Sequence, residues 1–172
     1  MKHAELAKKI DAICHLKGDF LLRSGTRSTD YFDKYRFESQ PELLKEIAAQ
    51  MKTLIPPGID ALAALEMGGI PIGTALSLLT GIPCAFIRKE AKTYGTCQFA
   101  EGFEIKGKKL CIVEDVITSG GQVLLSTEDL RREGATVENV LCVINRGSGD
   151  ATAKLKLKNL SLKSLFVRAD FL

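Results

Sequence analysis

Lys109-Leu-Cys-Ile-Val-Glu-Asp-Val-Ile-Thr-Ser-Gly-Gly121 decides the reading of this chain. Leu110 to Val113 are consecutive apolar, largely β-branched residues, the pattern of a strand buried on both faces of a parallel sheet. Ligands collect beyond the carboxyl edge of such sheets, and Glu114 and Asp115 are expected there. Thr118, Ser119, Gly120 and Gly121 then open a helix from about Gln122 to Glu133. Unpaired backbone N–H groups and the helix dipole at that mouth favour an anion, and two hydroxyls with two glycines leave room for a phosphate. Two carboxylates beside an anion site are unfavourable unless they accept hydrogen bonds from sugar hydroxyls or hold a hydrated divalent cation. Ribose 5-phosphate presents both ends of that pattern. Since adjacent strand residues point to opposite faces, both acids meet one sugar only if the strand twists or ends there.

Other nucleotide motifs fail. Gly102-Phe-Glu-Ile-Lys-Gly-Lys-Lys109 has P-loop glycine and lysine spacing but ends in lysine where a hydroxyl should bind magnesium, and it precedes a strand. No Gly-x-Gly-x-x-Gly follows a predicted strand, so a dinucleotide fingerprint is missing.

Outward from this segment, the 172 residues suit one domain and the 45% hydrophobic content suits a packed core. Residues 4 to 16 place Leu6, Ile10 and Ile13 on one helical face, with Lys17-Gly18 as a stop. Asp19 to Glu38, rich in aromatics, reads as a small irregular β-unit forming a hood. Pro41 opens a helix ended by Pro56-Pro57-Gly58. A strand at 59–64, a helix at 70–79, strands at 84–88 and 110–114, the helix after Gly121 and a strand at 137–144 give a parallel sheet flanked by helices, with 165–167 as a further strand. The hood is expected over about 1–40 plus part of the carboxyl-terminal region, and the core over about 41–150. The stretch Lys89 to Lys108 is too long and polar for a simple connector and is expected to be either a functional lid or disordered.

A net charge of +3 does not call for nucleic acid. Five cysteines without a Cys-x-x-Cys pair, several in apolar runs, read as buried reduced thiols, and no apolar run is long enough to span a membrane. A cytoplasmic protein is expected. His3 and His15 lie away from every motif and are given no role.

Val113 to Gly121 resembles the phosphoribosyl-diphosphate motif of type I phosphoribosyltransferases. Three further segments, in the same order, resemble the orotate phosphoribosyltransferase family: Leu22-Arg-Ser-Gly-Thr-Arg-Ser-Thr-Asp-Tyr-Phe-Asp33 its amino-terminal substrate segment, Arg88-Lys-Glu-Ala-Lys92 its mobile catalytic loop, and Asn145-Arg-Gly147 its orotate-binding region. The resemblance implies the type I phosphoribosyltransferase fold and transfer of ribose 5-phosphate from phosphoribosyl diphosphate to orotate. It assigns donor contacts to Arg23, Met67, Gly68, Arg88, Lys89, Lys92, Tyr94, Glu114, Asp115, Val116, Ile117, Thr118, Ser119, Gly120, Gly121 and Gln122. Lys92, Glu114 and Asp115 are the catalytic candidates. Tyr31, Phe32, Thr118 and Arg146 are the orotate contacts, with Arg146 paired to the carboxylate.

The family also implies Mg2+ held mainly by substrate and water, with Asp115 as the protein-side candidate. It implies a cis peptide between Glu66 and Met67, and a homodimer in which the Arg88–Lys92 loop completes the neighbour's site. Many relatives carry lysine at Gly68, and its absence shifts diphosphate binding here toward backbone, Arg88, Lys89 and Lys92. Tyr94 stands where many have histidine, and a phenol donates a hydrogen bond but does not become cationic near neutral pH. The competing readings are a phosphoribosyltransferase for another base and a non-catalytic nucleotide-binding regulator of the same fold.

Overall fold

The computed structural model describes residues 1–22, 25–91, 98–147 and 149–171. Its elements follow in chain order as α1 (His3–Cys14), β1 (His15–Leu21), β2 (Arg27–Phe32), α2 (Tyr35–Glu38), α3 (Pro41–Met51), β3 (Ala61–Leu65), α4 (Gly69–Thr80) and β4 (Cys84–Ile87). They continue with β5 (Ala100–Glu101), β6 (Lys109–Ile117), α5 (Gly121–Arg132), β7 (Thr136–Asn145), α6 (Gly149–Leu157) and β8 (Ser161–Val167). Single 3-10 turns follow α3 at Lys52–Leu54 and β8 at Arg168–Phe171.

The expected α/β architecture is present, with a six-stranded sheet in the order β5-β4-β3-β6-β7-β8. From β4 to β8 all pairs are parallel, and β5 adds an antiparallel edge against β4. From β3 the chain winds outward to β4, then returns to β6 on the other side of β3 and continues outward to β7 and β8. The connections therefore reverse between β3 and β6, and at such a switch point the loops leaving two adjacent strands diverge and open a crevice.

Alternation along the strands splits the core in two. Ala61, Ala63, Leu110, Ile112, Val140 and Cys142 pack with Val123 and Leu130 of α5 and Leu155 of α6. Leu62, Cys111, Val113, Leu141 and Val143 pack on the other face with Leu6, Ile10, Ile47, Met51, Ile72 and Leu76 of α1, α3 and α4. Both faces are covered, so the central strands carry apolar residues at consecutive positions. Helix α4 reaches the sheet closely through Gly69, where a Cβ would lie 2.3 Å from the Val113 carbonyl oxygen.

The structure corrects four expectations. Lys17-Gly18 is no helix stop: α1 ends at Cys14, and both residues lie in β1, which pairs with β2 in an antiparallel hairpin. Strand β6 does not end at the acids but runs through Glu114 and Asp115 to Ile117, held by its ladder to β7 at Glu114↔Cys142 and Val116↔Ile144. The stretch 89–108 contains β5 and so contributes to the sheet. Helix α6 was not anticipated, because Gly-Asp-Ala-Thr-Ala-Lys-Leu-Lys-Leu lacks the 3.6-residue apolar spacing that marks a helix.

Candidate active site

The crevice at the switch point is a cavity of about 420 Å3. One wall is the turn after β6, residues Thr118, Ser119, Gly120 and Gly121, with Gln122 at the start of α5. Gly120 adopts φ +74°, a left-handed conformation that glycine takes without a Cβ penalty, and it caps α5 without a side chain. Gly121 N–H reaches Ser119 Oγ at 3.5 Å and Leu124 N–H donates to the Gly120 carbonyl, so the helix mouth has no side-chain cap beyond that weak bond, the setting in which first-turn N–H groups favour an anion. The opposite wall is the turn after β3, where Glu66, Met67 and Gly68 lead into α4. The Glu66–Met67 peptide is cis, as the resemblance implies.

Glu114, Val116 and Ile117 form the floor between these turns, and Lys34, Tyr35 and Lys89 form the rim. Glu66 joins the turn after β3 to the cationic segment, since Lys89 N–H donates to its Oε1 at 2.6 Å. Arg88 lies near Glu101, with Nη1 and Oε1 3.9 Å apart.

Asp115 lies beneath the floor and is fully buried. Its Oδ2 is 2.6 Å from Lys34 Nζ, and a Cβ on Gly68 would fall 1.5 Å from the same oxygen. Only glycine at 68 therefore permits this placement of the acid. Glu38 of α2 completes the cluster, with its Oε1 buried and without a hydrogen-bond donor beside the Asp115 carboxyl. Two carboxyl oxygens attract only through a proton held by one of them. Burial, then Asp115, push the Glu38 carboxyl up to about 9, and burial followed by Asp115 pushes Glu114 up to about 8. Asp115 is held below the ordinary carboxylate range, because its bonds to Glu38 and Lys34 outweigh desolvation. At neutral pH the cluster holds an ionised Asp115 against the Lys34 ammonium, with Glu38 and Glu114 favoured in their neutral forms.

A second, smaller cavity of about 140 Å3 is lined by His15, Phe32, Ile144, Arg146, Arg168 and Phe171. The Arg146 guanidinium sits 4.9 Å from the Phe32 ring centroid, and Arg146 N–H donates to the Ile117 carbonyl at 2.8 Å. That hydrogen bond ties the end of β7 to the end of β6, where the Thr118–Gly121 turn of the larger cavity begins.

Of the expected site residues, the larger cavity gathers Met67, Gly68, Lys89, Glu114, Val116, Ile117, Thr118, Ser119, Gly120, Gly121 and Gln122. Phe32 and Arg146 are brought together in the smaller one. Tyr31 lines neither and stacks on Phe20, with centroids 5.3 Å apart. Arg23, Lys92 and Tyr94 lie outside the described residues. Lys34, Tyr35 and Glu38 were missed, because only the approach of the hood to β6 makes them neighbours of the acids. His15 was also missed. Contrary to the expectation that it lies away from every motif, its ring contacts Phe32 edge-on at 5.6 Å and lines the smaller cavity.

Among the described residues no three His, Cys, Asp or Glu side chains are arranged to hold a metal ion by themselves. Asp115, the expected protein-side magnesium candidate, is fully buried and does not line the cavity; the carboxyls that line it are Glu66 and Glu114, which offer oxygen ligands of the kind a magnesium ion shared with substrate phosphates and water accepts. Nor, among the described residues, is any helix long and apolar enough to cross a membrane.

A model of the phosphoribosyl transferase domain matches residues 36–163. The chain is 52% identical over 143 residues to an orotate phosphoribosyltransferase of Nocardioides sp., covering 83% of this chain and 80% of the relative. It is 34% identical over 171 residues to the orotate phosphoribosyltransferase of Methanopyrus kandleri, covering 99% and 92%. Among solved structures, orotate phosphoribosyltransferase from Mycobacterium tuberculosis in complex with Fe(III) dicitrate matches with a TM-score of 0.86 at 27% identity over 98% of both chains. The chain belongs to the phosphoribosyltransferases and, within them, to the orotate phosphoribosyltransferase family.

Proposed function

We propose that this chain transfers the 5-phosphoribosyl group from phosphoribosyl diphosphate to N1 of orotate, releasing diphosphate and forming orotidine 5′-monophosphate in UMP biosynthesis. The carrying observation is that Glu114 stands between two anion-suited turns at one switch point, one leaving β6 and one leaving β3. A sugar bearing a phosphate at one end and a diphosphate at the other spans such a crevice with its hydroxyls over the acid.

In the reaction the bond from C1 to the diphosphate oxygen breaks, the leaving group keeps the electron pair, and C1 bonds to N1 of orotate, whose proton is lost. Positive charge builds on the ribose and negative charge on the departing diphosphate, so positioned charges and alignment carry catalysis without an enzymic nucleophile. The Thr118–Gly121 turn holds the 5-phosphate. Glu114 accepts from ribose hydroxyls, and Asp115 supports that edge of the site from below. Lys89, Arg88 and Lys92 neutralise the diphosphate, and closure of their loop excludes water. Magnesium, when bound through diphosphate and water, supplies further charge neutralisation.

A homodimer with shared sites accompanies this reading. Between α3 and α4 a groove is lined by Pro41, Leu44, Ala48, Ala75, Leu78 and Leu79, with Leu78 85% exposed, an apolar surface suited to a second copy. The Arg88–Lys92 segment then completes the neighbour's site. Free cysteines at 14, 84, 111 and 142 support a reducing, cytoplasmic setting. The acceptor and donor are small molecules, with no part for nucleic acid or membrane.

Purified protein with phosphoribosyl diphosphate and magnesium, offered orotate, uracil, adenine, hypoxanthine and nicotinate separately, should release diphosphate only with orotate. Chelation of the metal should abolish that release. Preference for uracil or a purine would overturn the assignment.

A further inference from the structure

The smaller cavity contains two arginines where the acceptor's recognition accounts for one. Strands β7 and β8 are parallel with Asn145 opposite Val167, so the next residue of each, Arg146 and Arg168, leaves the sheet at the same level on adjacent strands. Both line the cavity, together with the Phe32 and Phe171 rings. Among the described residues no acidic side chain lines it. The nearest acid of the carboxyl-terminal turn, Asp170, is turned back on its own backbone, its Oδ2 accepting from Val167 N–H at 2.7 Å. That bond shapes the 3-10 turn bearing Arg168. Phe171 pins the turn to the body by edge contacts with Phe32, 6.0 Å between centroids, and Phe166, 5.6 Å. Arg168 is therefore presented from a folded turn and not from a loose tail.

Two guanidiniums at one small aromatic cavity repel each other, and Arg146 is already held below its ordinary value by burial first and by Arg168 second. A carboxylate placed between them removes that repulsion. It has two oxygens and about four lone-pair sites, enough for a bidentate bond to one fork and a further bond to the other.

We propose that Arg168 is a specificity-determining residue that, with Arg146, grips the carboxylate of the pyrimidine acceptor. The proposal rests on orotate being that acceptor. A second cation deepens discrimination against neutral pyrimidines such as uracil, which gain nothing from it and leave the arginine pair without a counter-charge. Because Arg168 touches the carboxylate and not the reacting atoms, it acts on acceptor binding more than on bond breaking.

The test is steady-state kinetics on full-length Arg168→Ala, Arg168→Lys and wild-type protein, with orotate and uracil as acceptors and with orotate binding measured directly by calorimetry. Arg168→Ala should raise the orotate KM and Kd roughly 10- to 100-fold, as expected for loss of a charge-assisted hydrogen bond. It should leave kcat with orotate and the phosphoribosyl diphosphate KM within about twofold, and uracil should still release no diphosphate. Arg168→Lys should recover part of the loss. An unchanged orotate KM in Arg168→Ala, with wild-type protein active on orotate, overturns the proposal alone. So does a parallel loss for orotate and the donor, which marks a merely structural role. Wild-type protein inactive on orotate overturns the proposal together with the reading on which it rests.

Discussion

Lys34 Nζ lies 2.6 Å from Asp115 Oδ2, joining the end of the amino-terminal hairpin to the central strand of the core. Asp115 is fully buried, and Lys34 is the cation that, beside the Glu38 carboxyl, holds it ionised. Replacing Lys34 by methionine keeps the stem and removes the charge. Leaving a buried carboxylate unpaired should cost about 2 kcal/mol, less than for a wholly buried pair because Lys34 is partly exposed. For a chain of this length that is a fall in Tm of roughly 4–8 °C, read by scanning calorimetry on unliganded protein. No change in Tm would show the pair to be energetically idle.

The same cluster sets a pH dependence. Glu38 and Glu114 are raised to about 9 and about 8 from an ordinary 4.5, so between those values the folded state binds more protons than the unfolded chain. Stability must then fall as pH rises across that interval. Asp115, lowered, contributes stability that is lost only as pH falls below the ordinary carboxylate range, and Lys34, raised, loses its contribution only above the ordinary lysine value. Neither reverses the slope near neutrality. Unliganded protein should denature at a lower urea concentration at pH 8.5 than at pH 6, and Glu38→Gln should flatten the difference. A steeper decline in that variant would contradict the assignment of the proton to Glu38.

Asp115→Asn should reduce kcat by about 100-fold or more while circular dichroism stays native, since the acid is buried beside Glu114 and Val116 of the cavity proposed to hold the donor. Lys92→Ala should do the same through the other half of a shared site. If the loop crosses to the neighbour, mixing the two inactive proteins under conditions that exchange subunits will restore activity, because one site of each mixed dimer has both residues intact. Persistent inactivity after demonstrated exchange would place both residues in one subunit's own site.

Leu78, 85% exposed beside Leu79 and Leu44, is the residue through which to test the dimer. Leu78→Glu should yield a folded monomer by sedimentation and, if sites are shared, an inactive one. A variant that remains dimeric would move the subunit interface elsewhere.

The central strands and the phosphate turn were legible because burial on both faces and a glycine-ended helix mouth leave direct marks in residue order. Contacts between segments far apart in the chain leave no such mark. Glu114 and Asp115 read as a strand end, yet pairing of Val116 with Ile144 and Ile117 with Asn145 carries the strand two residues further and sends the two acids to different surroundings. Lys34 and Glu38 look like ordinary charges of a surface turn, and become partners of Asp115 only when α2 packs against β6. The same holds for His15, which local pattern places at a helix end and tertiary structure places against Phe32.

The smaller cavity draws Phe32 from the first fifth of the chain and Arg168 and Phe171 from its last few residues, whereas both turns of the larger one come from the middle. On the proposed reading, changes at Phe32, Arg168 and Phe171 would alter which base is taken up while the turns around Glu114 stay as they are. In effect the scaffold separates a constant handle from an exchangeable jaw, and an engineer wishing to redirect it should begin at the tail.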